Sequence, residues 1–104
     1  MDSREAPIVV TVVDDVIFVA GEIDLMTAPE LDECLGAAEG DVRIDMSAVT
    51  FVDSVGLSVL ITHHGRRLRD GEALRIVAMS PRVRRLLEIT GLLPIFIEGT
   101  AQPA

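Results

Sequence analysis

DMSAVTFVDSVGLSVLI, residues 45–61, places two apolar segments on either side of Asp53-Ser54. Upstream, VRIDM (residues 42–46) has the alternation of a short strand. SAVTFVD then reads as a loop anchored by Val49, Phe51 and Val52. From Ser54 onward, Leu57, Leu60, Ile61, His64 and Leu68 recur at helical spacing, and Asp70-Gly71 marks the stop. A strand that feeds an amphipathic helix through a short connection is the repeating unit of an α/β domain.

The flanks extend that pattern. IVVTVV and VIFVAG are β-branched runs separated by Asp14-Asp15, the spacing of a hairpin. In TAPELDECLGAAEG, Thr27 and Glu30 have capping-box spacing and Pro29 falls in the first turn. Leu31, Cys34, Leu35 and Ala38 make one helical stripe, and Gly40 stops it. ALRIVAM is an apolar strand. Ser80-Pro81 opens a third helix, with Val83, Leu86, Leu87 and Thr90 inward and Gly91 at its end. Pro94 then introduces a last short strand, IFI. The order is β-β-α-β-α-β-α-β: a mixed, mostly parallel sheet begun by a hairpin and flanked by helices. One domain is expected, with an ordered core over about residues 8–97 and loose ends at 1–6 and 99–104.

Composition bounds the chemistry. The chain has 104 residues, 49% of them hydrophobic, enough for a core without disulfides or metals. Cys34 is the single cysteine, so no internal disulfide forms; on the helical stripe it reads as a packed thiol. The start, MDSREAPIVV, lacks the pattern of a signal peptide, and no apolar run nears the ~20 residues of a membrane span. A cytoplasmic protein without membrane insertion is expected. The net charge of −8 argues against direct nucleic-acid binding. The charge is uneven: residues 1–41 hold eleven acids and one base, Arg4, while eight of the nine arginines follow. The acidic half could steer a basic partner, or simply keep the domain soluble.

An enzyme would need more than Ser54. The serines lack the G-x-S-x-G pattern of a hydrolase elbow. His63 and His64 lie nine and ten residues past Ser54 on the same helix. At 1.5 Å per residue that is roughly 14 Å, too far to take its proton. Adjacent helical histidines point about 100° apart, and no Cys/His/Glu cluster joins them, so no metal is expected. Phosphate-loop and dinucleotide patterns are absent, and no cofactor is expected. Ser54 instead reads as a helix cap, with Asp53 as the other candidate for that role. Gly56, in the first turn, sacrifices helix propensity, which makes sense where another backbone or a partner approaches closely.

GEIDLMTAPEL, IDMSAVTFVDSVGL and MSPRVRRLLEITGL together resemble the three signature stretches of the STAS-domain anti-sigma factor antagonist family. The resemblance runs from about Ile8 to Ile97, in the family's order and spacing, and Asp-Ser-x-Gly-Leu is its most diagnostic centre. It implies a small sheet flanked by helices and a binding module rather than an enzyme. It also implies that Ser54 is a phosphoacceptor for an anti-sigma factor with serine kinase activity. The unphosphorylated form would bind that factor and release the sigma factor, phosphorylation would end binding, and a phosphoserine phosphatase would reset the cycle. The partner surface implied is Asp24, Asp53, Val55, Gly56, Leu57 and Ser58. The sequence departs from the pattern at Val55, where Ser, Thr or Ala is common; the change removes a possible second acceptor. Two other readings of such a domain stand beside this one: a constitutive accessory subunit of a membrane transport complex, and a scaffold component of a stress-sensing assembly.

Overall fold

Alternation along the strands decides which side of the sheet is dry. A computed structural model describes residues 8–98; the ends expected to be loose, 1–6 and 99–104, lie outside the described residues. The strands are β1 (Ile8–Val13), β2 (Val16–Ile23), β3 (Val42–Val52) and β4 (Leu74–Met79), and they lie side by side in that order. β1 and β2 are antiparallel, and β2–β3 and β3–β4 are parallel. Ile17 and Val19, Ile44 and Met46, and Leu74 and Ile76 are buried, whereas Phe18, Arg43, Arg75 and Val77 are exposed. One face is therefore covered and the other open, as the period of two requires.

The helices are α1 (Ala28–Ala37), α2 (Ser54–Arg69), α3 (Pro81–Thr90) and α4 (Leu93–Glu98). Leu31 and Leu35 of α1, Leu60 of α2, Val83 and Leu87 of α3 and Phe96 of α4 join the strand residues in one core. Asp14 and Asp15 form the β1–β2 turn with φ of 50° and 66°, the backbone of a two-residue hairpin with both central residues left-handed. Ser80 caps α3 by accepting a bond from the Val83 amide at 3.2 Å, and Pro81 occupies the first turn. Gly91 ends α3 in the left-handed conformation, φ 77°, and its amide donates to the Glu88 carbonyl at 3.1 Å. No described helix is long and apolar enough to cross a membrane.

Several local expectations are corrected. The segment read as a loop, SAVTFVD, continues β3 through Val52, because the end of β2 pairs with it from Ala20↔Ala48 to Ile23↔Val52. Pairing overrides its mixed polarity. The strand expected at IFI is the short helix α4; Pro94 fits a first helical turn, and a three-residue apolar run cannot specify its own period. The buried stripe of α2 is Gly56, Leu60, His63, His64 and Arg67, while Ile61 is 44% exposed. The helix is rotated from the purely apolar stripe because its polar residues find partners inside. The His63 Nε2 lies 2.6 Å from the Asp32 carboxylate on α1, and the His64 ring tilts against Phe96 with centroids 5.4 Å apart. The Arg67 guanidinium donates to the carbonyls of Leu35, Ala38 and Gly40, where α1 ends.

Candidate functional site

The site lies where β2 and β3 end side by side and hand over to α1 and α2. The Asp53 amide donates to the Ile23 carbonyl at 3.0 Å, extending the β2–β3 ladder to the first residue of the junction. Asp53, not Ser54, is the helix cap. Its Oδ1 accepts from the amides of Val55 at 2.9 Å and Gly56 at 3.0 Å, and its own backbone is extended. Ser54 is the first helical residue. Its side chain faces solvent, and its hydroxyl makes no hydrogen bond among the described residues. The reading of Ser54 as cap fails because one carboxylate oxygen, on the preceding Asp53, accepts from both amides.

Gly56 is buried against β2. A Cβ there would stand 2.6 Å from Ile23 Cγ2 and 3.1 Å from the Ile23 carbonyl oxygen. The close approach that its presence implied is therefore made by the chain itself, and Gly56 faces inward rather than toward a partner. Its absent side chain lets α2 start against the end of β2, which holds Ser54 beside the β2–α1 turn.

That turn is wound around Asp24. Its Oδ1 accepts from the amides of Met26 at 2.9 Å and Thr27 at 3.1 Å, an Asx arrangement. The expected capping box at Thr27 and Glu30 does not form. The Thr27 hydroxyl instead donates to the Glu22 carbonyl at 2.7 Å and accepts from the Asp24 amide at 2.9 Å. This bonding pushes the next two side chains outward: Leu25 is 68% and Met26 81% exposed. Val55 is 37% exposed, and it lines a groove of about 350 Å3 with Leu25, Ala28, Pro29, Ser58 and Val59.

Of the residues expected here, Ser54, Val55 and Ser58 are exposed, Asp24, Asp53 and Leu57 are half-buried, and Gly56 is buried. Asp24 and Asp53 use their carboxylates to shape the two turns. Leu25 and Met26 were not among the expected residues. Their signal in the sequence is two large apolar residues between a turn-forming Asp and a helix start, off either helical stripe. His63 and His64 lie deep along α2, away from Ser54, and no group able to hold a metal occurs among the described residues. Cys34 is half-buried; burial, and then the nearby Glu30 charge, raise its pKa, which keeps it a thiol at neutral pH.

A four-stranded mixed sheet covered by helices, with an Asp53-capped helix start and an exposed Ser54, defines a small α/β domain. The STAS domain family matches residues 7–103, and the chain belongs to that family. It is 47% identical over 81 residues to an anti-sigma-B factor antagonist of Listeria monocytogenes, covering 73% of this chain and 70% of that protein. It is 40% identical over 77 residues to an anti-sigma-B factor antagonist of Bacillus subtilis, covering 71% of each. Among solved structures, an anti-sigma factor antagonist from Mycobacterium paratuberculosis aligns with a TM-score of 0.70 at 35% identity, over 93% of this chain and 85% of that one.

Proposed function

We propose that this chain is a cytoplasmic anti-sigma factor antagonist, acting as a single non-enzymatic domain and switched at Ser54. The unphosphorylated form binds an anti-sigma factor that is also a serine kinase, and that binding releases the sigma factor. The kinase moves the γ-phosphoryl group of ATP to Ser54 Oγ, with ADP as leaving group and the serine proton passed to a base of the kinase. The phosphorylated form does not bind, and a phosphoserine phosphatase restores it by hydrolysis.

The observation that carries this reading is the position of Ser54. It is an exposed hydroxyl at the first position of a helix, without a hydrogen bond among the described residues, and it precedes Val55, which lines a groove with Leu25. The two nearest free amides are already taken by Asp53. A phosphate on Ser54 therefore gains little inside the molecule and sits next to a carboxylate. Phosphoserine brings about −1.5 to −2 charges and three acceptor oxygens. Enclosing those in an apolar contact is costly, so the effect falls on the interface rather than on the fold. Leu25, Met26, Val55 and Ser58 supply the contact surface, while Asp24, Asp53, Gly56 and Leu57 hold it in shape.

Incubation with ATP and the anti-sigma kinase recovered from the same cells, followed by intact mass and phosphopeptide mapping, tests the proposal. One phosphate, on Ser54, is expected. Phosphate chiefly on Ser47, Thr50 or Ser58, or none at all, overturns the switch.

A further inference from the structure

β3 is longer than its neighbour. Its last pair with β4 is Met46↔Met79, yet it runs on to Val52. Among the described residues, 47–52 thus have a strand partner on the β2 side only. On the other side the chain leaves β4 at Ser80 and turns into α3. A groove of about 520 Å3 remains there, lined by Ala48, Val49 and Thr50 on one wall and by Pro81, Arg82 and Arg85 on the other.

Two features of that groove define what fits it. The first is backbone. A one-sided strand presents amides and carbonyls that water satisfies in the free protein and that an added strand can satisfy instead. The second is charge. Arg82 and Arg85 are both exposed, and neither has an ion-pair or hydrogen-bond partner among the described residues, whereas Arg84 of the same helix pairs with Glu88 at 3.3 Å. On a chain of net charge −8 these two guanidinium groups form a local cationic wall. Their planar donors suit carboxylates, and they stand opposite the free edge.

We propose that this groove is a second docking surface, which takes an extended acidic segment of a partner protein as a strand added to the overhang of β3. Main-chain bonds to residues 48–51 supply the pairing, and carboxylates on alternate residues meet Arg82 and Arg85. The surface shares no residue with the groove lined by Leu25 and Val55 and does not depend on phosphorylation of Ser54.

The test uses the isotope-labelled full chain and a blocked eight-residue peptide alternating Glu and Val, with a Lys-Val peptide of the same length as control. Titration by NMR is expected to shift the amides of residues 48–51 and of the start of α3, and to slow hydrogen exchange along the strand, with the acidic peptide only. Arg82→Gln/Arg85→Gln, whose side chains are on the surface and whose fold the same spectra check, is expected to weaken binding about 3- to 30-fold and flatten its salt dependence. No response to the acidic peptide overturns the proposal, as does an equal response to the Lys-Val peptide. Protection of residues 48–51 that rises with protein concentration in the absence of peptide assigns the groove to a second copy and also overturns it. No kinase enters this experiment, so its failure leaves the Ser54 reading intact, and an unphosphorylated Ser54 leaves this surface intact.

Discussion

Ser54 and Asp53 divide between them two tasks that the sequence assigned to one residue. Because Asp53 holds the Val55 and Gly56 amides, Ser54→Ala removes no helix cap. Its effect on stability is expected to stay within about 0.5 kcal/mol, while binding to the anti-sigma partner persists and can no longer be switched off. Asp53→Ala loses the cap and is expected to cost about 1 kcal/mol in a thermal or denaturant melt. Ser54→Asp puts a carboxylate on the contact surface. It should weaken partner binding by roughly 5- to 150-fold in calorimetric titration, or about 1–3 kcal/mol. The melt should hardly move, since an acid in the first turn suits the helix dipole and Asp53 opposes only part of that gain. Retained binding by Ser54→Asp would remove Ser54 from the interface. Gly56→Ala separates packing from propensity. Alanine gains up to about 1 kcal/mol as a helix former, but overpacking costs ~1–3 kcal/mol. A Cβ 2.6 Å from a buried β-branched side chain and 3.1 Å from a carbonyl oxygen leaves neither neighbour free to yield. A net loss of about 1–2 kcal/mol is expected, and a stabilised Gly56→Ala would show that α2 can shift off Ile23.

Among the elements, those with a local signal were legible and those set by a partner were not. The Asp14-Asp15 hairpin, the prolines in the first turns of α1 and α3, the Ser80 cap and the Gly91 stop are decided within a few residues, so the sequence carries them, although not the bonding of Thr27. The length of β3 is decided by the end of β2, some thirty residues away, and the rotation of α2 by carbonyls and a carboxylate on α1. Neither shows in the segment itself. The same division applies to the candidate site. Ser54 and Asp53 were visible in a short motif, whereas the exposure of Leu25 and Met26 depends on how the Asp24 turn bonds. The hairpin supplies its own prediction. Asp14 and Asp15 both have φ above zero, where a Cβ is strained, and their charges are adjacent. Asp14→Asn/Asp15→Gly places the preferred pair in that turn and is expected to stabilise the domain by about 0.5–1 kcal/mol. An unchanged or lowered melt would mean that the turn's conformation costs the native chain little.

At the scale of the whole molecule, α1 and α2 form the two walls of the groove beside Ser54, and they are tied at both ends. Near the site the tie runs through β2, whose last residue leads into the turn before α1: the Asp53 amide donates to the Ile23 carbonyl, and Gly56 packs on Ile23. Far from it the tie is Arg67, which is only 7% exposed and whose guanidinium donates to Leu35 O at 2.8 Å, Ala38 O at 2.9 Å and Gly40 O. Leu35 lies in the last turn of α1, Ala38 is its C-cap and Gly40 follows, and without Arg67 these buried and half-buried carbonyls lose their side-chain donor. Glu72 lies 3.4 Å from the same guanidinium and balances its charge. Replacing Arg67 with methionine keeps most of the volume but abandons the carbonyls, so the cost is the desolvation of unpaired acceptors rather than a cavity. We expect a loss of about 3 kcal/mol, a large fraction of the 5–15 kcal/mol typical of a domain. At about 4–8 °C per kcal/mol for this size, the melting temperature should fall by roughly 12–24 °C. Arg67→Lys is the sharper variant. An ammonium keeps the charge but is a single point, and it cannot reach three carbonyls spread across the end of a helix as a planar fork does. Lysine should therefore recover less than half of the loss. A thermal melt of both variants decides the matter: if Arg67→Lys melts with the wild type, charge alone holds α1 to α2, and the three-carbonyl geometry is not what fixes the far end of the groove.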